Sequence, residues 1–226
     1  MTELQEQWQS SGAGHDQRVQ HSSKDPNWRT PGSLFEALHA EFNFQLDVAA
    51  DENNHLCHYW FGPEQTMDAW KDGLRVGWNG FEGAAFMNPP YSKVLKMPID
   101  PWLRKAWSES VFGVTVVGII PYNTQTQWWR RWVVGLGVEN DWTGHAADQI
   151  RILPRRVSFL RPDGASAANA PGNVAVVVWK PNPGWVGPWQ PTLRYWNWRE
   201  YDQSDSGKDA RVDSAREESV LEDTIE

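Results

Sequence analysis

Ala84-Ala85-Phe86-Met87-Asn88-Pro89-Pro90-Tyr91 is an apolar run that breaks without transition into an amide, two prolines and an aromatic ring. The run reads as a short buried strand. Proline fixes φ and has no N–H to donate, and the residue before a proline is pushed toward extended geometry. The segment after the strand is therefore a stiff loop whose carbonyls find no ladder partners. It presents the Asn88 amide, a backbone carbonyl and the Tyr91 ring to a planar ligand. An aminated heterocycle suits it, with acceptors for its N–H groups and a ring to stack on. Proline clusters also mark plain turns, so the loop taken alone leaves a rigid turn as the other reading.

Around this loop, helical and extended signals alternate. Thr30 is a good N-cap and Pro31 a good first helical residue, with Leu34, Phe35 and Leu38 on one face. Phe44 to Val48 reads as a strand ending in Asp47. Asp100-Pro101 repeats the cap signal ahead of Trp102, Leu103, Ala106 and Trp107. Phe112 to Ile120 is dense in β-branched residues and reads as a central strand that stops at Pro121. Thr124 to Val134 reads as a helix that Gly135 closes, with Trp128 and Trp132 on its packing face. Ile150 to Leu153, Arg156 to Leu160 and Asn173 to Trp179 read as strands. Such alternation implies an α/β sheet, whose ligands bind outside the carboxyl ends of the strands. Asp47, Asn88 and Pro121-Tyr122 all fall at such ends and converge on one crevice.

The 226 residues are enough for one domain with a sizeable core. Residues 25–200 read as that domain. Residues 1–24 are polar and aperiodic, and residues 201–226 are acidic; both read as disordered tails, with a marginal helix over Val212 to Leu221. The net charge of −8 argues against a nucleic-acid partner only until it is located: residues 201–226 carry nine acids against three bases, which leaves the body nearly neutral. Sixteen tryptophans are read mainly as packing, since base stacking needs few rings. A single cysteine excludes an internal disulfide, and the apolar run Val111 to Ile120 is too short to span a bilayer. The expectation is a cytoplasmic protein with no membrane partner. His55, Cys57 and His58 lack a distant second pair at zinc-like spacing, so no metal site is expected.

Arg151, Arg155, Arg156 and Arg161 lie within eleven residues, around a Pro162-Asp163-Gly164 turn. Arginines on such a ribbon clamp phosphates or read guanine; a solvated hairpin with surface arginines is the other reading.

Trp28-Arg29-Thr30-Pro31 leading into Leu34-Phe35, then Phe44-Gln45-Leu46-Asp47-Val48-Ala49-Ala50, Asp72-Gly73-Leu74, Trp78 and Asn88-Pro89-Pro90-Tyr91-Ser92 follow in an order that resembles the phage-type, Dam-like DNA N-6-adenine methyltransferases. Protein glutamine methyltransferases carry a similar tetrapeptide; the combination is narrower. The resemblance covers residues 25 to 180, and it implies a Rossmann-like class I methyltransferase fold, mostly parallel, with helices on both faces. It also implies S-adenosylmethionine as methyl donor, DNA as partner and a phage or prophage setting. Asn88, Pro89, Pro90 and Tyr91 would form the catalytic loop, and Thr30, Pro31, Asp47, Ala49 and Asp72 the cofactor pocket. Asp68 is a weaker candidate than Asp72. The sequence departs from the pattern after Asp47, where Ala49 and Ala50 stand in place of glycines and the next glycine is Gly62. A protein glutamine or RNA methyltransferase, a non-catalytic nucleic-acid-binding module and a tryptophan-rich carbohydrate-binding protein are the rival readings.

Overall fold

Helix α1 (Gly32–Phe42) starts one residue later than its cap signal suggests, because Pro31 takes the cap position and makes no side-chain bond. The Thr30 hydroxyl is turned elsewhere, which forgoes about 1 kcal/mol of capping. The helix stops at Asn43, whose left-handed backbone (φ 50°) lets its N–H bond the His39 carbonyl. This computed structural model describes residues 28–92, 96–136, 146–161, 173–181 and 190–201.

The strands are β1 (Phe44–Asp47), β2 (Tyr59–Trp60), β3 (Ala84–Met87), β4 (Val116–Pro121), β5 (Gln149–Ile152), β6 (Val174–Trp179) and β7 (Thr192–Tyr195). They form one sheet in the order β2-β1-β3-β4-β6-β5-β7. Neighbours are parallel except at the two ladders of β6. Side chains alternate between the faces, as the two-residue strand period requires. Phe44, Phe86, Val117 and Val176 pack with Leu34, Phe35 and Leu38 of α1. Leu46, Met87, Val116 and Val177 pack on the other side with Leu103 and Ala106 of α2 (Asp100–Val111). This is the Rossmann-like α/β sheet of the expectation, covered on both faces.

Three local readings are corrected. The central strand begins at Val116, not Phe112, because Gly113 (φ 103°) makes a turn before it and leaves Phe112 exposed. Within 124–134, Trp129–Val133 winds as a π helix, so Trp129 and Trp132 are the buried pair and Trp128 is half-buried. Residues 156–160 form no strand; Val157 and Phe159 are buried in the core on the α1 side, and Leu160 makes an antiparallel bridge with Arg29. The turn 162–164, the helix over 212–221, the N-terminal tail 1–24 and the C-terminal tail beyond Tyr201 lie outside the described residues. Among the described residues, no helix is long and apolar enough to cross a membrane.

The topology fixes where a ligand fits. From β1 the chain moves outward to β2, whereas from β3 it passes through α2 to β4 on the opposite side. Strand order therefore reverses between β1 and β3, and the crevice of such a sheet opens at that reversal. Asp47 ends β1 and Asn88 directly follows β3.

Candidate active site

Asp47 pairs in register with Phe86, and the Val48 N–H bonds the Phe86 carbonyl at 3.0 Å. The ends of two adjacent strands, about 4.8 Å apart, thus deliver Asp47 and Asn88 to the same rim. The Asn88 side chain is fixed by its nitrogen. Nδ2 donates to the Trp28 carbonyl (3.1 Å) and to the Thr30 hydroxyl (3.0 Å). Among the described residues no donor meets Oδ1, and every buried side-chain nitrogen or oxygen has a partner, so this oxygen reaches the surface. Pro89 is buried, and no described donor bonds its carbonyl. The Asn88 oxygen is therefore left facing out, next to a Pro89 carbonyl unpaired among the described residues, on a loop that two prolines hold stiff. Pro90 and Tyr91 are half-buried. Tyr91 packs against the core cluster on the α2 side, and burial pushes its phenol up. Ser92 and Met97 exchange backbone bonds of 3.0 and 2.9 Å and close the loop.

Asp47 is 3% exposed, and both carboxyl oxygens have backbone partners: Leu56 N–H at 3.1 Å and Ala49 N–H at 3.4 Å. Its carboxyl ties the 47–56 loop to the end of β1. Burial pushes it up to about 7, against the pull of those two N–H groups and of His55. The folded protein holds this proton more tightly than the unfolded chain. The associated stability is complete below about pH 4 and lost as pH rises through about 7. Asp47→Asn is neutral throughout and is expected to flatten that decline. Urea midpoints across this range for both proteins check it; parallel pH profiles would refute it.

The missing glycines are supplied from further along the chain. A Cβ on Gly62 would collide with the Ala50 carbonyl, and one on Gly73 with the Val48 carbonyl. Two later segments thus press against the backbone just after Asp47, a closeness only glycine permits. Trp78 pins the second of them, donating Nε1 to the Gly73 carbonyl at 2.8 Å. Beside Gly73, Asp72 accepts the Leu74 N–H (3.0 Å) and pairs with Arg75 (3.2 Å), its side chain 45% exposed. Asp68 pairs with Lys71 and is almost wholly exposed. The His55 ring stacks on Trp60, and its Nδ1 lies 3.0 Å from the Cys57 carbonyl. Burial, and then the Asp47 charge, push the Cys57 thiol up.

The four arginines divide. Arg151 is fully buried in β5 on the α1 face. Its guanidinium forms a fork with Glu41 (2.6 and 2.5 Å), bonds Gln149 Oε1, and lies over the rings of Phe42 (5.0 Å) and Trp196 (5.1 Å). The Arg151 bond, first, holds the Glu41 carboxyl below its ordinary value. The expected role of Arg151 on DNA is thereby corrected: this charge is part of the core. Arg155, Arg156 and Arg161 are exposed on the segment that Leu160 bridges to Arg29. A cavity of about 850 Å³ lies between α1 and β7, lined by Glu41, Arg194 and Trp196 among others. None of the expected site residues lines it.

Sequence reasoning missed Trp28, whose contribution is a backbone carbonyl, and the pairing of Thr30 with Asn88. No local signal reveals contacts across 60 and 58 residues. Gly73 was detectable in the Asp-Gly-Leu pattern, though not its contact with Val48.

The family model described as DNA N-6-adenine-methyltransferase (Dam) matches residues 17–184, about three quarters of the chain. Among curated proteins, none matches.

Proposed function

The chain belongs to the DNA N-6-adenine-methyltransferase family, and from that premise we propose that it transfers a methyl group from S-adenosylmethionine to the exocyclic amine of adenine in DNA. The observation that supports this best is the Asn88 amide, held by its nitrogen with its oxygen outward at the strand reversal. The lone pair of adenine N6 is delocalised into the ring. Asn88 Oδ1 and the Pro89 carbonyl accept its two N–H bonds and turn the lone pair out of the ring plane. This is orientation and electrostatic assistance, since positive charge develops on the amine. Asn88 is neutral and takes no proton; the amine loses its proton after transfer. Tyr91 stacks on the base, which leaves the duplex to reach the loop.

The donor set at the reversal fits a cationic, hydroxyl-bearing cofactor. The Asp72 carboxylate reaches solvent beside Gly73, and Asp47 shapes the adjoining loop through Ala49 and Leu56. Thr30 and Pro31 line the entry to α1. When bound, S-adenosylmethionine supplies an electrophilic methyl group on sulfur. The catalytic unit is residues 25–200. Its setting is a bacterial cytoplasm under phage attack or carriage, where methylation shields DNA from nucleases.

DNA contact is assigned to Arg155, Arg156 and Arg161, and Arg151 is left out. Arg156→Ala and Arg161→Ala are each expected to weaken duplex binding across sequences. Each should lower the slope of log K against log salt by about 0.9. Fluorescence titration at several salt concentrations measures this; unchanged slopes would remove these residues from the interface.

Labelled S-adenosylmethionine offered together with duplex DNA, RNA and protein tests the reading. Label in DNA supports it. Label in protein or RNA alone would reassign the substrate, and binding without transfer would make the chain a non-catalytic module.

A further inference from the structure

We propose that Thr30 is a positioning residue for methyl transfer: with the Trp28 carbonyl, its hydroxyl locks the Asn88 carboxamide so that Oδ1, rather than Nδ2, faces the target amine. The inference rests on the base-holding role given to Asn88 above and goes beyond the cofactor contact expected of Thr30.

The terminal torsion of asparagine is broad and nearly two-fold. Its two flip states exchange an acceptor for a donor at the working end of the side chain. Only one state suits an amine that must give up two N–H bonds. Trp28 settles which state is held. Its carbonyl carries no proton, so the Asn88 atom 3.1 Å away must be the nitrogen. The second proton on that nitrogen goes to Thr30 Oγ1 at 3.0 Å. Both amide protons are thereby directed into the protein, and neither can be turned toward substrate.

Thr30 is suited to hold this geometry. It is 5% exposed, so water does not compete well for its hydroxyl. Arg29 and Leu160 exchange backbone bonds of 2.9 and 3.0 Å on one side of it. On the other side Pro31 (φ −59°) leads straight into α1. Pro31 holds the cap position and α1 begins without a side-chain cap, while the hydroxyl that the sequence offers as a cap is engaged by Asn88 instead. That diversion sets Thr30 apart from an ordinary helix start.

Thr30→Val keeps the shape and removes the hydroxyl; Thr30→Ser keeps the hydroxyl. Single-turnover transfer, S-adenosylmethionine affinity and Tm are measured for both. The expected result is about a tenfold lower rate for Thr30→Val, with KM for DNA unchanged, any loss of cofactor affinity smaller than the loss of rate, and near-wild-type rates for Thr30→Ser. An unchanged rate in Thr30→Val, or a loss confined to cofactor affinity, would overturn the proposal. Asn88→Ala separates the two levels. If it abolishes transfer while Thr30→Val does not, only the role of Thr30 falls. If it leaves transfer intact, the base-holding reading falls as well. Should Thr30→Val fail to fold, hydrogen exchange of the Asn88 side-chain amide in wild type decides: two protected protons support the lock, and rapid exchange overturns it.

Discussion

Asn88→Ala is expected to lower the rate of methyl transfer by about a hundredfold to a thousandfold, the range seen when a pre-aligned polar group is removed from a reacting centre. Cofactor affinity should persist. The Asn88 oxygen is aimed where positive charge develops, so its loss falls on the chemical step and not on ground-state binding. The fold should tolerate the change. The truncation leaves a space beside the Trp28 carbonyl and the Thr30 hydroxyl, which a water in place of the lost carboxamide can fill. Asn88→Asp is a sharper probe. It is nearly isosteric but has no N–H, so one carboxylate oxygen would face the Trp28 carbonyl. That repulsion turns the group out of its cradle, and this variant too is expected to be severely impaired. Single-turnover assays beside calorimetric titration of S-adenosylmethionine measure both effects. A rate within a few-fold of wild type for either variant would contradict the assignment.

Glu41→Ala carries the largest expected cost to stability, about 3 kcal/mol, the lower end for breaking a buried ion pair. Arg151 has no exposed surface and relies on Glu41 for its counter-charge. Without it, only the Gln149 oxygen meets the guanidinium among the acceptors seen here. Arg194 reaches Glu41 only at 3.9 Å and adds little. The lower end applies because Glu41 itself is 42% exposed and water can approach the vacated side. Alanine keeps the helical propensity of α1, so the loss reports the pair. Tm should fall by about 6–12 °C in a domain of this size. Urea denaturation measures the change. A loss under about 1 kcal/mol would mean that Arg151 is solvated or paired otherwise. Combining Glu41→Ala with Arg151→Met should recover part of the loss, because the stranded charge is gone.

These two residues mark how far the sequence could be read. The Asn-Pro-Pro-Tyr loop and its strand were legible because proline stiffness and apolar runs are local. β3 stops at Met87, where the prolines force it to. Asp47 and Asn88 were correctly expected at strand ends, and the sheet order places those ends side by side. Arg151 was misread because charge along the chain says nothing about facing. In β5 the two-residue period turns Ile150 to the α2 side and Arg151 to α1, where Glu41 waits 110 residues away. The start of β4 was misplaced for a different reason: Val114 and Phe112 look strand-like, and Gly113 decides the turn. The lock on Asn88 was illegible in kind, since half of it is a backbone carbonyl that any residue at position 28 could provide.

The most direct test of the central claim is the identity of the modified nucleoside. Unmethylated duplex DNA is incubated with the wild-type chain and S-adenosylmethionine, digested, and its nucleosides are separated and quantified by mass. The account requires N6-methyladenosine in its deoxy form, absent from the Asn88→Ala reaction. Methylated cytosine in its place, or unmodified DNA from a protein that binds the cofactor, would contradict it.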